Sequence, residues 1–266
     1  MNATRLFPLL LLAACATQKP VTTPSTAISG FQPPDTQVPD YAKRPFEPFS
    51  RLNAIAIAQR EWRAFGSVVD DSPPNGNLPQ ELRPDRQPGL WQRVGDYWWA
   101  GQDYGTKESG WTGLYNAEGT PYNGQPPAWS AAFISYVMRS AGAGNQFAYS
   151  PLHADYINAA SRGEGALRAE PLTNYPPVPG DLICFGRLSA RNIRFEDLPA
   201  PRFFGHCDLV LSAAPGQLTV VGGNVGAGVT VKHVSTTEAG LMATPDGRPL
   251  DSRFPWFTVL RVNYAM

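Results

Sequence analysis

A chain of 266 residues with 22 basic and 22 acidic side chains carries no net charge, and nothing in that balance suggests a nucleic-acid partner, which would normally leave a basic patch or stripe. Its 42% hydrophobic content and seven Trp suffice for one good-sized globular domain, while 25 Gly and 27 Pro predict long loops. The three cysteines show neither a CxxC spacing nor a nearby histidine pair, so no metal and no cofactor is expected.

Residues 1–14 read as a targeting segment. Arg5 supplies a positive start, and the apolar run 6–12 is too short to span a bilayer as a mature helix. The sequence LAAC, ending at Cys15, resembles a bacterial lipobox. That resemblance implies cleavage before Cys15 and a lipid on Cys15. Because Ala16 is not the Asp that retains lipoproteins at the inner membrane, it also implies a periplasmic protein anchored to the outer membrane. The plainer reading is a secreted protein with a chance cysteine. With Cys15 set aside, Cys184 and Cys207 remain as a possible disulfide pair in an oxidising compartment. Residues 15–48, with seven prolines among Thr, Ser and Gln, read as a tether, and the folded domain is expected over 49–266.

Ser50 is placed to cap a first helix, in which Leu52, Ile55, Ala58, Trp62 and Phe65 recur at helical spacing before Gly66. An aromatic-rich insertion is expected at about 66–127. It contains a loop at 69–89 and a second helix at 90–100 with Leu90, Val94, Tyr97 and Trp98 on one face. Around it, Trp99, Tyr104, Trp111, Tyr115 and Tyr122 either wall a cleft or anchor a loop.

The stretch 128–142, AWSAAFISYVMRSAG, predicts a helix apolar on nearly every side and hence buried, entered after Pro126 and Pro127 and capped by Gly142. Ser130 falls at its first turn. There a serine is commonly an N-cap, and there too unpaired N–H groups and the helix dipole favour a nucleophile. Ser150-Pro151 opens a short helix, 151–162. Strands follow at 181–185, 206–212, 217–221, 229–234 and 256–262, with a mixed-charge insertion at 187–204. Helices first and antiparallel strands second predict an α+β fold with helices on one face of a small sheet.

Three polar residues then stand in the order nucleophile, base, orienting group: Ser130 on the helix, His206 at a strand start, and Asn224 in the turn GGNVG. Taken singly, His206 reads as a structural histidine and Asn224 as a turn residue. His153 and Asp155 lie in the first turn of the short helix, where they cap it or reach the cleft. His233 has no partner legible in the sequence.

WSAAFISYVMRSAG is similar to the WCAAFVxxVLxxAG helix of CHAP amidase/peptidase domains and their NlpC-type relatives, which share a papain-like fold. GDLICF resembles their GDL strand, GHCDLVLS their GHV strand, and GGNVG their site of a polar third residue. As a set, these motifs resemble the bacterial family with domain of unknown function 2272, from about residue 50 onward. The resemblance implies a papain-like, CHAP/NlpC-type domain that cuts amides of peptidoglycan peptides through Ser130, His206 and Asn224. It further implies that Tyr122, Gln125 and Trp129 serve the oxyanion and the substrate. Papain-like enzymes carry Cys where this chain has Ser130. A thiolate forms readily at a helix N-terminus, whereas a hydroxyl needs full general-base help. The expectations are therefore a serine-variant peptidoglycan amidase or, alternatively, a catalytically inactive module that binds peptidoglycan or a protein partner. The oligomeric state is not legible.

Overall fold

A computed structural model describes residues 48–73, 78–102 and 106–264. The expected signal peptide, Cys15, Tyr104 and nearly all of the tether lie outside the described residues. No helix among the described residues is long and apolar enough to cross a membrane.

Among the described residues four α-helices precede or flank one sheet: α1 (Arg51–Ala64), α2 (Leu90–Ala100), α3 (Ser130–Ser140) and α4 (His153–Ser161). The strands are β1 (Leu167–Glu170), β2 (Leu182–Gly186), β3 (Gly205–Ala214), β4 (Gln217–Val225), β5 (Gly228–Ser235) and β6 (Trp256–Val262). They form a six-stranded sheet in the order β1-β6-β2-β3-β4-β5, antiparallel at every pairing. The fold is α+β. The short strand β1 was not expected, because LRAE shows little alternation.

Local chemistry sets the helix ends. Ser50 Oγ accepts from the Asn53 N–H at 3.2 Å and starts α1. Gly142, at φ +94°, takes the left-handed conformation past the end of α3 and donates to the Arg139 carbonyl. The all-round apolar pattern of α3 has the consequence expected of it: Ser130 through Met138 are all buried. On one face of the sheet Phe133, Ile134 and Val137 of α3 share a core with Leu182, Cys184, Cys207, Leu209 and Val221. On the other face Ile183, Phe185, Val210, Val220, Phe254 and Trp256 form a second core. Strand alternation decides these memberships residue by residue.

In the β2–β3 register Cys184 stands directly opposite Cys207, and the two form a disulfide with Cα atoms 4.1 Å apart. The bond lies on the helix-facing side of the sheet, whereas His206 and Asp208 follow the opposite alternation of β3. Gly223 lets α3 come close: a Cβ there would sit 2.6 Å from that of Phe133.

Candidate functional site

Helix α3 begins at Ser130 with Trp129 as its N-cap, and among the described residues no side-chain cap closes its first turn. The positive end of the helix is thus left to whatever occupies the space in front of it. That space is a cleft of about 460 Å³. Trp98, Trp111, Leu152 and Phe203 supply apolar wall, Arg187, Arg202 and Glu108 supply charge, and Ser130 and His153 stand in its lining.

His153 is the first residue of α4 and is buried. Its Nε2 lies 2.7 Å from Ser130 Oγ. Its Nδ1 is hydrogen-bonded to the hydroxyl of Tyr156, one helical turn along. Burial, then the neighbouring His206, then Arg187 press the His153 pKa well below the ordinary imidazole value, against the opposing pull of Asp208. The ring is therefore neutral at neutral pH. With its hydrogen on Nδ1, donated to the Tyr156 oxygen, the Nε2 lone pair faces the serine hydroxyl. Burial first, and then Asp208 and Asp155, raise the Tyr156 phenol well above its usual value, so it remains protonated.

Behind this pair is a second polar array. The His153 and His206 ring centroids are 5.2 Å apart. His206 Nε2 lies 3.0 Å from Asp208 Oδ1, and Lys232 Nζ donates to Asp208 Oδ2 at 2.9 Å. All three side chains are buried. Burial opposes charge on Asp208, but Lys232 and His206 outweigh it and hold the carboxyl far below its usual range. Burial also lowers the His206 pKa despite Asp208. The Lys232 ammonium sits 4.4 Å from the centroid of the Phe254 ring. Gly222 makes room for the array, since a Cβ there would lie 1.9 Å from Asp208 Oδ1.

The sequence-derived site is thus partly rearranged. Ser130 is where the helix motif puts it, but the imidazole it meets is that of His153, and Ser130 and His206 make no hydrogen bond with one another. The group that orients His206 is Asp208, two residues along the same strand. Asn224 sits at a bulge near the end of β4, at φ +57°, and its side chain makes no hydrogen bond among the described residues. Tyr122, Gln125 and Trp129 do not line the cleft. The Trp129 indole donates to Asp85 Oδ2 at 2.9 Å and packs beside Phe65 and Tyr97. Gln125 Oε1 accepts from Arg83 at 3.0 Å. The Tyr122 carbonyl accepts from Arg86, and burial, then Glu118, push its phenol up to about 12. All three are thereby tied to Arg83, Asp85 and Arg86, in the segment just ahead of α2. Trp111 does wall the cleft. His233 pairs with Asp71 at 2.9 Å, and Asp155 accepts from Ser150 Oγ.

The missed residues left uneven signals. Asp208 at i+2 from His206 on a strand must share its face. His153 and Tyr156 at i and i+3 must share a helix face. Of the two residues weighed as capping that helix or reaching the cleft, His153 stands in the lining and Asp155 does not. Among the described residues no group of three or more His, Cys, Asp or Glu side chains is gathered as a metal site would require.

A family model described as "Uncharacterized protein conserved in bacteria (DUF2272)" matches residues 85–262, which carry α2, α3, α4 and the whole sheet. No curated protein and no solved structure matches the chain.

Proposed function

We propose, for a chain that belongs to the bacterial DUF2272 family, an acyl hydrolase in which Ser130 is the nucleophile and His153 the general base. The observation that carries this reading is the 2.7 Å contact between Ser130 Oγ and His153 Nε2 at an uncapped helix start that opens on the cleft. His153 takes the hydroxyl proton as Oγ attacks the carbonyl carbon. The free N–H groups at the start of α3 receive the developing oxyanion. His153 then returns the proton to the leaving amine, and water, activated by the same imidazole, releases the acyl group from Ser130. His206 and Asp208 act from behind as a fixed polar support.

The substrate we propose is an amide of peptidoglycan stem peptides, and the fold a papain-like one of CHAP/NlpC type. The motif helix bearing Ser130, packed against an antiparallel sheet bearing His206, supports that relation. The LAAC motif supports a lipid-anchored periplasmic protein of the outer membrane, and the Cys184–Cys207 disulfide suits that oxidising compartment. The test is incubation of the purified protein with muropeptides, products read by mass spectrometry. Cleavage by the wild type and none by Ser130→Ala supports the reading, and intact muropeptides with the wild type sink it.

Two observations favour a second reading, a cleft that binds the same peptides without cutting them. Ser130 is only 3% exposed, and the basicity of His153 is depressed.

A further inference from the structure

We infer that Arg187 is the anion receptor of the Ser130 cleft, and that the compound bound there carries a carboxylate close to its reacting carbonyl. The inference rests on the reading of the cleft as an acyl-compound site and names the chemistry of its ligand.

Arg187 follows directly on β2 and lines the cleft with Ser130 and His153. Its backbone is pinned, its N–H donating to the Phe204 carbonyl at 2.8 Å just ahead of β3. Its side chain is not. The guanidinium makes no ion pair and no hydrogen bond among the described residues, whereas Arg202, the other cation in the lining, is 3.4 Å from Asp155. A guanidinium left without a partner beside a nucleophile is a ready bidentate receptor for a carboxylate. Its surroundings make the choice narrower. Leu188, 73% exposed and held at φ +51°, and Phe204, 55% exposed, flank it on the rim. Large apolar side chains in water beside an unpaired cation suit a ligand whose carboxylate neighbours an apolar group. Glu108 in the same lining disfavours a second anion placed beside it and suits an ammonium group.

Occupation of Arg187 has a consequence for His153. The charged groups that act on that imidazole are His206 and Arg187, which disfavour its protonation, and Asp208, which favours it. A carboxylate on Arg187 offsets one of the two opposing influences, so the bound ligand strengthens the base.

The experiment uses two stem tripeptides of identical sequence, one with a free carboxylate beside the scissile amide and one with that carboxylate as a carboxamide. Binding to the full chain bearing Ser130→Ala is measured by calorimetry, so that cutting is not required. The acid should bind about tenfold or more tightly than the carboxamide, as expected for a charge-assisted pair. Adding Arg187→Met should erase the difference while leaving carboxamide binding in place, and Arg187→Lys should keep part of it. Equal binding of the two peptides, a preference that survives Arg187→Met, or binding of neither overturns the inference. If the wild type cuts neither peptide while the preference and its loss are seen, the hydrolase reading fails and Arg187 stands as the receptor. If it cuts both at equal kcat/KM, Arg187 is excluded and the hydrolase reading stands. A further readout is the acidic limb of kcat/KM, which should move to higher pH in Arg187→Met because a neighbouring cation has been removed from His153.

Discussion

Ser130 Oγ and His153 Nε2 stand 2.7 Å apart although they belong to different helices, one at the first residue of α3 and the other at the first residue of α4. Each is buried in its own packing, and both face the same cleft. Removing either should therefore remove the same chemical act. Ser130→Ala and His153→Ala are each expected to lower kcat/KM on a cleaved muropeptide by about 10³-fold or more, and the double variant should lose little beyond either single one. His206→Gln, whose amide nitrogen can reach the Nε2 position beside Asp208, should cost clearly less. An inactive His206 variant beside an active His153→Ala would return the role of base to His206.

Acid should weaken both the fold and the rate. His153 and His206 have folded pKa values below that of a free imidazole, so each is neutral in the folded protein at a pH where the unfolded chain already binds a proton. Their contribution to stability is complete above about pH 6.5 and is lost as pH falls below that value toward the folded pKa values. Asp208, also depressed, adds a second loss below about pH 4. The melting temperature should accordingly fall in two stages on acidification. The rate, which needs neutral His153, should already be on its plateau at pH 6.5. A rate that continues to climb between pH 6.5 and 8 would mean that another group is the base.

The Cys184–Cys207 bond closes a loop with a sequence separation of 23. The chain-entropy relation assigns such a loop about 3 kcal/mol of stability. Cys184→Ser together with Cys207→Ser should lower the urea midpoint and, by releasing the unfolded chain, steepen the slope. Both sulfurs are buried, so a thiol-alkylating reagent with mild reductant should label them only on unfolding. An unaltered midpoint would show that the crosslink constrains nothing.

Gly222→Ala puts a methyl group into the space used by Asp208 Oδ1 and His206 Nε2, 1.9 and 2.9 Å from the added carbon. Neither neighbour can retreat without breaking a buried hydrogen bond, so a loss of about 1–3 kcal/mol is expected, measured by thermal unfolding. Wild-type stability in this variant would mean that the His206–Asp208–Lys232 array is loosely held.

The parts of this architecture that local spacing determines were legible in the sequence. The all-round apolar helix and the opposed faces of His206 and Cys207 follow from periods of 3.6 and 2, and the stop at Gly142 from glycine's ease in the left-handed conformation. The site was legible only where those periods reach. Asp208 could be placed beside His206 by alternation, and Tyr156 beside His153 by helical spacing. The meeting of His153 with Ser130 depends on how α4 packs beside the start of α3, which no local pattern encodes. Residues next to Ser130 in sequence, such as Trp129, were drawn toward the site by proximity along the chain, while the fold turns the indole back toward Asp85. Asn224 was read from its glycine neighbours as a turn, and the β4–β5 register absorbs it as a bulge instead.

The strand order gives the sheet a constraint in time. Strand β6 lies between β1 and β2, so Leu167 waits for Val262 and Leu182 waits for Leu260. While the chain emerges from a ribosome or a translocon, β2 can pair with β3 but must leave its other edge bare, and β1 has no neighbour at all. An open edge of this kind invites pairing with another chain. The helix-facing core around α3 is likewise missing Phe257, Leu260 and Val262 until then. Completion of the domain is thus held back to its last strand, a long-range closure that makes folding a late, all-or-none event rather than a progressive one.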